Sequence, residues 1–197
     1  NIDNCVKINN VSPIILYFNY INVHMEGSEI KMRLWPYQML DTLPTQYLLG
    51  QWRECLAVAG MIKKGDGKVN HSTINRINDY SIEHFAAYCD LVRKEFKRRD
   101  FTIGTNTIEK LNNNIDYESL EYALEEKENS SNHISKINTI YILTPDGRKE
   151  SLFENFHNDR YIKQCLYKFQ EFYDTGAMDE ELWNAMYKKF KYLGIEM

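Results

Sequence analysis

The chain has 197 residues, of which 43% are hydrophobic and 26% are charged, and its formal net charge is −4. This composition excludes a wholly disordered, collagen-like or coiled-coil chain, and the length fits one domain or one domain with an appendage. The negative charge excludes a chain that is basic throughout, but it does not exclude a basic face.

The charge is distributed unevenly along the chain. Residues 1–31 carry two Lys against three acidic residues, a net charge of −1, and residues 111–197 carry ten Lys and Arg against sixteen Asp and Glu, a net charge of −6. Residues 32–110 carry twelve Lys and Arg against nine Asp and Glu, which gives +3. We therefore expect any polyanionic partner to meet the middle segment.

The first 31 residues differ in character from those that follow. They are rich in Asn and Ile, and the sequence begins at Asn1 rather than at a methionine. We favour the interpretation that residues 1–31 are translated upstream sequence and that Met32 begins the natural protein, a domain of residues 32–197. The alternative is a genuine extension that docks on that domain. The apolar run from Val11 is too short and too interrupted to span a bilayer and does not resemble a signal peptide.

Two strong helices are predicted in the middle segment. Apolar residues recur at three- and four-residue steps from about 44 to 62 and again from about 81 to 99. Thr42 or Thr45 is the expected cap of the first helix. Its polar residues are expected on the faces away from the apolar stripe: Gln46, Gln51, Arg53 and Glu54. The basic end of the second helix suits the negative end of a helix dipole, which by itself favours a structural role over nucleic-acid binding.

The second half of the chain has weaker patterns. Residues 104–135 read as an Asn-rich connection around one short helix near 117–128, and segments 137–143 and 149–153 flank a Pro-Asp-Gly turn, which is typical of a hairpin. Two further helices are predicted at about 159–173 and 179–193. The predicted fold class is therefore mainly α, a compact helical single domain with one small β-hairpin. The C-terminal aromatic residues Trp183, Tyr187, Phe190 and Tyr192 have helical spacing and are expected in the core.

Most familiar catalytic signatures are absent from this sequence. It holds no phosphate-binding glycine loop, no HExxH and no GxSxG. The four cysteines are widely spaced, which indicates reduced thiols in a cytoplasmic protein, and no histidine pair has the spacing of metal ligands. We therefore expect neither a metal nor an organic cofactor. His84 is the weakest functional candidate of the five histidines.

One constellation stands out, at Met32 and in the helix that follows it. The segment opens Met-Arg-Leu-Trp at 32–35, and the helix carries Gln46, Leu48 and the adjacent pair Arg53 and Glu54. Periodicity alone favours an ordinary solvated Arg-Glu pair. The arrangement resembles, however, the pyrimidine dimer DNA glycosylases of the endonuclease V type, whose bacterial branch opens in this way. The likeness is best over residues 32–101, returns at His157-Asn158-Asp159-x-Tyr161, and is poor over 103–153.

The resemblance implies a lesion-specific glycosylase with an associated AP lyase step on double-stranded DNA. In that family the α-amine of the first residue attacks the sugar, here the amine of Met32, and a helix glutamate, here Glu54, supports the imine. Arg33 and Arg53 would contact phosphate or lesion. An α-amine has a pKa near 7.7–8.0, so an appreciable fraction is neutral at pH 7. Further DNA contacts are expected from Gln46, Lys63, Lys64, His71, Arg93, Lys94, Lys97 and Arg98.

Two features of the sequence bear on that mechanism. Arg33 follows Met32, and a bulky second residue generally prevents removal of the initiator methionine, so the nucleophile would be the amine of Met32 itself. If residues 1–31 are present, that amine is locked in a peptide bond. The competing function is a non-catalytic nucleic-acid- or protein-binding module on the same scaffold, which needs neither a free amine nor Glu54. We expect a monomer with no membrane association.

Overall fold

A computed structural model describes residues 33–64, 72–127 and 138–194. The α-helices in these ranges are α1 (Thr45–Lys64), α2 (Ser72–Ile77), α3 (Ile82–Arg98), α4 (Thr105–Ile115), α5 (Asp159–Asp174) and α6 (Glu180–Phe190). Short 3-10 helices span Tyr37–Thr42, Tyr117–Ser119 and Lys191–Leu193, and the strands are β1 (Ala123–Lys127), β2 (Thr139–Leu143) and β3 (Lys149–Ser151). The mainly α prediction is confirmed. None of these helices combines the length and apolar character that a bilayer crossing requires.

The strongly periodic helices lie where the sequence predicted them. α1 and α3 match the predictions at 44–62 and 81–99, and α5 and α6 match those at 159–173 and 179–193. α1 begins differently from the prediction, because Tyr47 and Leu48 both donate their backbone N–H to the carbonyl oxygen of Pro44. The Thr42 hydroxyl donates instead to the Met39 carbonyl, at 3.1 Å, within the preceding 3-10 helix.

The connection between α3 and the sheet was predicted wrongly. No helix covers 117–128 in the described residues; a 3-10 turn is followed there by β1, and α4 lies before it. α4 buries Leu111 and Ile115 and ends at Asp116, which adopts the left-handed conformation with φ 53°. A two-residue apolar face in an Asn-rich segment gives too weak a periodicity to predict such a helix.

The predicted hairpin is the second half of a three-stranded antiparallel sheet in the order β1-β2-β3. Tyr141 of β2 pairs with Glu125 on one side and with Ser151 on the other. Gly147 closes the turn between β2 and β3 at φ 82°, a conformation that favours glycine. On β3, Glu150 Oε2 lies 3.0 Å from His84 Nε2, which ties the sheet to α3.

The core lies between α1, α3 and α5, where apolar side chains exclude water. α1 packs against α3 and α4, and α5 packs against α6. Cys55, Cys89 and Cys165 are buried free thiols within this core, as their spacing predicted.

The C-terminal aromatic residues differ in burial. Trp183 and Phe190 are buried, whereas Tyr192 is 39% exposed, so the core prediction is wrong for Tyr192. Its hydroxyl donates instead to Asp159 Oδ1 at 3.2 Å.

The basic end of α3 is bound to the rest of the fold by a buried carboxylate. Glu95 accepts hydrogen bonds of 2.6–2.7 Å from the guanidinium groups of Arg98 and Arg99. Arg99 also donates to the carbonyl oxygens of Leu43, at 2.7 Å, and Leu40, at 3.0 Å. Burial acts to raise the pKa of Glu95, but the bonds from the two arginines outweigh it and the pKa is lowered. This network holds the 3-10 helix before α1 against α3.

Glu95→Gln is expected to lower the free energy of unfolding at pH 7 by about 2 kcal/mol, because a neutral amide weakens three charge-assisted bonds at a buried position. The lowered pKa makes this stabilisation fully present above the unfolded-state value near 4.3, and it is lost as the pH falls through the folded-state value. Urea denaturation at pH 7 and pH 4 measures both effects. Glu109→Gln, at an exposed position of α4, is the matched control. Equal losses at the two positions would contradict the prediction.

Candidate functional site

The first described residues of the chain are held in the core by hydrogen bonds to their backbone. The Trp35 N–H donates to Gln51 Oε1 of α1 at 2.9 Å. The Tyr88 hydroxyl donates to the Trp35 carbonyl, and the Tyr161 hydroxyl donates to the Leu34 carbonyl, each at 2.8 Å. Side chains from α1, α3 and α5 therefore fix the path of the chain just after residue 32.

A buried histidine fixes the next two residues. The Tyr37 N–H donates to His157 Nδ1 at 3.2 Å, and Gln38 Nε2 donates to the His157 carbonyl oxygen at 3.1 Å. Because Nδ1 accepts a hydrogen bond, the neutral ring carries its proton on Nε2. Burial lowers the pKa of His157 to about 3. His157 is therefore a neutral, structural member of the site, and it belongs to the His-Asn-Asp stretch that the resemblance pointed to.

Arg33 directly precedes residues 34–38, which these hydrogen bonds anchor (the anchored segment), and it is half-buried. Its guanidinium carbon is 5.0 Å from the centroid of the Trp35 ring, a cation–π distance. Burial raises the pKa values of Tyr161 and Cys165, and the positive charge of Arg33 acts in the opposite direction on both. The predicted contact residue Arg33 is thus placed by Trp35 and lies close to α5.

Glu54 lies on α1, three residues after Gln51, and is half-buried. Residues three apart are neighbours on one side of a helix, so Glu54 lies about 4.5 Å further along the axis than the residue that binds Trp35. Burial raises the pKa of Glu54, and the positive charge of Arg53 offsets only part of that rise. A carboxyl group with a raised pKa is suited to acid–base chemistry.

Gln51 is a site residue that the periodicity assigned to the wrong face. It is 1% exposed, whereas the sequence placed it away from the apolar stripe. Its Nε2 is buried and has no hydrogen-bond partner among the described residues. The signal that could have found it is its spacing, since Gln51 stands three residues after Leu48 and four before Cys55, both fully buried. Tyr88 was missed for the same reason, as a polar-tipped residue within an apolar run.

Arg53 and Gln46 lie elsewhere on α1. A β-carbon built on Gly50 would lie 3.8 Å from Arg53 Nη2, so the guanidinium folds back along the helix by one turn. Gln46 is half-buried in the first turn of α1. The adjacent Tyr47 ring stacks on Phe172 of α5 at 4.9 Å. Arg53 directly precedes Glu54 on α1, and Gln46 lies about two turns before Glu54 along the helix.

The other predicted DNA contacts fall into two groups. Lys63 donates to the Asn113 carbonyl at 2.6 Å, and Arg93 donates to the Tyr117 hydroxyl at 2.8 Å with Asp90 Oδ1 at 3.6 Å. These two cations, like Arg98, are engaged within the fold. Lys94 and Lys97 are exposed on α3. Met32, His71 and the side chain of Lys64 lie outside the described residues. All of these assignments stay predictions.

Metal ligation has no candidate in the described part of the chain, where no three His, Cys, Asp or Glu side chains are close enough to hold an ion. The polar groups that contact the anchored segment are instead the amide of Gln51 and the hydroxyls of Tyr88 and Tyr161. The guanidinium of Arg33 precedes the segment, and the carboxyl of Glu54, whose pKa is raised, lies on α1. Such groups bind anionic substrates and transfer protons.

Comparisons with known proteins bear on the same segment. No curated protein and no solved structure gives a significant match to the chain. A family model described as pyrimidine dimer DNA glycosylase matches residues 32–109, about two fifths of the chain. The matched segment includes α1 with Glu54 and the residues anchored by Gln51 and Tyr88. Residues 32–109 are therefore similar to the pyrimidine dimer DNA glycosylase family.

Proposed function

We propose that this protein is a DNA repair glycosylase with AP lyase activity, which acts on pyrimidine dimers in double-stranded DNA through a Schiff base formed by the amine of Met32. The observation that carries the proposal is that the family match at residues 32–109 contains a half-buried glutamate, Glu54, whose pKa is raised by burial. The protein is further proposed to act as a cytoplasmic monomer.

The position of Arg33 supports Met32 as the source of the nucleophile. The Arg33 nitrogen, which is bonded to residue 32, is two residues from the Trp35 nitrogen and thus at most about 7 Å from it. Trp35 in turn binds Gln51, three residues before Glu54. In a chain that begins at Met32, the α-amine is three residues before the Trp35 nitrogen and thus at most about 11 Å from it. With residues 1–31 attached, the same nitrogen is an amide and cannot act as a nucleophile.

The reaction can be written with the chain's own groups. The neutral amine of Met32 attacks C1′ of the damaged nucleotide, and the bond from C1′ to the base breaks with its electron pair leaving on the base, which takes up the proton that the attacking nitrogen loses. The C1′–O4′ bond then opens to an iminium, and O4′ takes up a proton. Loss of a proton from C2′ expels the 3′ phosphate and nicks the strand, and water hydrolyses the imine to release the amine.

Glu54 is the proposed proton donor and counter-charge for these steps. Burial raises the pKa of Glu54, which favours the protonated carboxyl, the form that can donate to O4′. The resulting carboxylate then stabilises the cationic iminium electrostatically. Arg33 and Arg53 are proposed to hold flanking phosphates, because guanidinium groups bind phosphate in bidentate fashion.

Reductive trapping tests the proposal. A chain that begins at Met32 and the complete chain from Asn1 are each mixed with ultraviolet-irradiated duplex and, separately, with abasic duplex, in the presence of borohydride. We expect a covalent protein–DNA adduct with both DNAs for the shorter chain and none for the longer chain, since only the first has a free amine at Met32. Acetylating that amine before the reaction is the matched control.

The other outcomes of the trapping experiment separate the alternatives. Adducts with abasic DNA alone would retain the lyase and remove the dimer as substrate. Adducts of equal yield from both chains would exclude Met32 as the nucleophile. No adduct from either chain would exclude the covalent mechanism and favour the non-catalytic binding module.

A further inference from the structure

A polar cleft lies at the corner where the end of α2 meets the start of α5. Its volume is about 270 Å3, and the residues that line it include Arg76, Asp79, Arg160, Tyr161 and Gln164. Tyr161 is also the residue whose hydroxyl binds the Leu34 carbonyl, so the cleft shares a wall with the candidate site. Of its two basic lining residues, Arg76 belongs to the middle segment whose basic groups were expected to be available to DNA, whereas Arg160 was not predicted as a contact.

Arg76 is held on aromatic surface on one wall of the cleft. Its guanidinium carbon lies 5.6 Å from the centroid of Phe156 and 5.9 Å from that of Tyr161. A guanidinium over aromatic faces keeps its N–H groups available for an anion, because the attraction involves the cationic plane rather than those donors. Arg76 is exposed and forms no ion pair within the described ranges.

Arg160 lines the cleft from the first turn of α5. Gln164 follows it by four residues, which places both side chains on one face of the helix. Both are exposed, and the described residues give the Arg160 guanidinium no carboxylate partner. The N-terminal end of a 16-residue helix adds a partial positive charge at the same place.

Most other arginines in the described residues form an ion pair with a carboxylate, unlike Arg76 and Arg160. Arg93 pairs with Asp90, Arg98 and Arg99 pair with Glu95, and Arg148 pairs with Asp146 and Glu150. The cleft holds one acidic residue, Asp79, against Arg76 and Arg160, so its lining is net positive by one charge. Arg33 adds to this potential, since Arg33 and Arg76 both act to lower the pKa of Tyr161 against the effect of burial.

We propose that Arg76 of α2 and Arg160 of α5, which both line this cleft, together bind one phosphate of the DNA backbone, so that the DNA strand runs from Arg33 across the corner between α2 and α5. The inference rests on the proposed function and adds a contact to it. Paired guanidinium forks match the tetrahedral oxygens of a phosphodiester, and Gln164 supplies a further donor. The phosphate contact positions the duplex and carries no sequence information.

The test measures DNA binding by the complete chain and its variants. Fluorescence anisotropy follows a labelled duplex that contains a reduced abasic site, over a series of salt concentrations. Arg160→Gln and Arg76→Gln are each expected to weaken binding about tenfold at low salt, and the slope of log K against log salt should fall by about 0.9, the value for one phosphate. Arg76→Lys should recover part of the loss. Lys188→Gln, which removes one exposed charge from α6, is the matched control.

The outcomes distinguish this inference from the function on which it rests. If the parent chain does not bind the duplex, the proposed function fails and the inference fails with it. If the parent binds and Arg160→Gln binds with the same affinity and slope, the inference is overturned while the function stands. Because Arg76 stacks on two rings, Arg160, which has no ring contact among the described residues, gives the deciding result. If inorganic phosphate alone stabilises the parent and not the variants while DNA binding is unchanged, the cleft binds a free anion and the backbone assignment is wrong.

Discussion

Acidification from pH 7 to pH 5 is expected to lower the free energy of unfolding by about 2 kcal/mol through His157 alone. Burial lowers the pKa of this ring to about 3 in the folded chain, against about 6.5 for an exposed histidine. Between these values the unfolded chain binds a proton and the folded chain does not. Stability therefore rises with pH across this interval and falls as the solution is acidified.

The hydrogen bonds of His157 explain why the folded chain resists protonation. His157 Nδ1 accepts the Tyr37 N–H at 3.2 Å, so a second ring proton would have to replace that bond and face another donor. His157 Nε2 is buried and has no partner among the described residues, so no carboxylate there compensates an imidazolium charge. A charged ring at this position would also release the backbone that leads from Trp35 into the 3-10 helix.

Urea denaturation between pH 5 and pH 7.5 checks this expectation against the variant His157→Asn. An asparagine oxygen can accept the Tyr37 N–H without titrating, so the variant is less stable at pH 7 but loses less stability on acidification. Below pH 6.5 the two curves should converge by about 1.4 kcal/mol per pH unit. Other titrating groups contribute to both proteins and drop out of the difference. Parallel curves would show that His157 is not the titrating group.

The parts of the fold that the sequence predicted are those with local causes. α1 and α3 follow from apolar residues repeated over four or more turns, and the β2–β3 hairpin follows from a glycine turn between two short apolar runs. β1 reads Ala-Leu-Glu-Glu-Lys, a set of good helix formers, and it is extended because it pairs with β2. Strand formation there depends on a partner more than ten residues away, which local propensity does not report.

In the candidate site, too, the sequence predicted the residues of a local motif but not the long-range bonds that position them. Glu54 and Arg33 were predicted because they belong to a motif that the family match also covers. The bonds that place them, from Trp35 to Gln51 and from Tyr161 to Leu34, join residues 16 and 127 positions apart. Arg98 was predicted from local charge as a DNA contact, yet Glu95, one turn away, engages its guanidinium. The role of Arg98 as a DNA contact stays a prediction, and local charge alone does not report that Glu95 is buried.

Glu54→Gln is expected to reduce the rate of strand nicking by a factor of 10² to 10⁴, the range for loss of a general acid–base residue, while duplex affinity stays within about threefold. Glutamine has nearly the shape of glutamate, so α1 and the anchored segment should keep their packing. It can neither donate a proton to O4′ as an acid nor carry the negative charge that stabilises an iminium. Glu54→Asp, which keeps the charge but shortens the side chain, should fall between the two.

The dependence of nicking on pH separates the two roles assigned to Glu54. An amine nucleophile requires pH values near or above its pKa of about 8, whereas a carboxyl proton donor requires values near or below its own raised pKa. Single-turnover nicking of abasic duplex should therefore pass through a maximum with pH in the parent chain that begins at Met32. If Glu54 acts only as a carboxylate, the rate should rise to a plateau instead. Nicking by Glu54→Gln within a few-fold of the parent rate would remove Glu54 from the mechanism, whatever the shape of the profile.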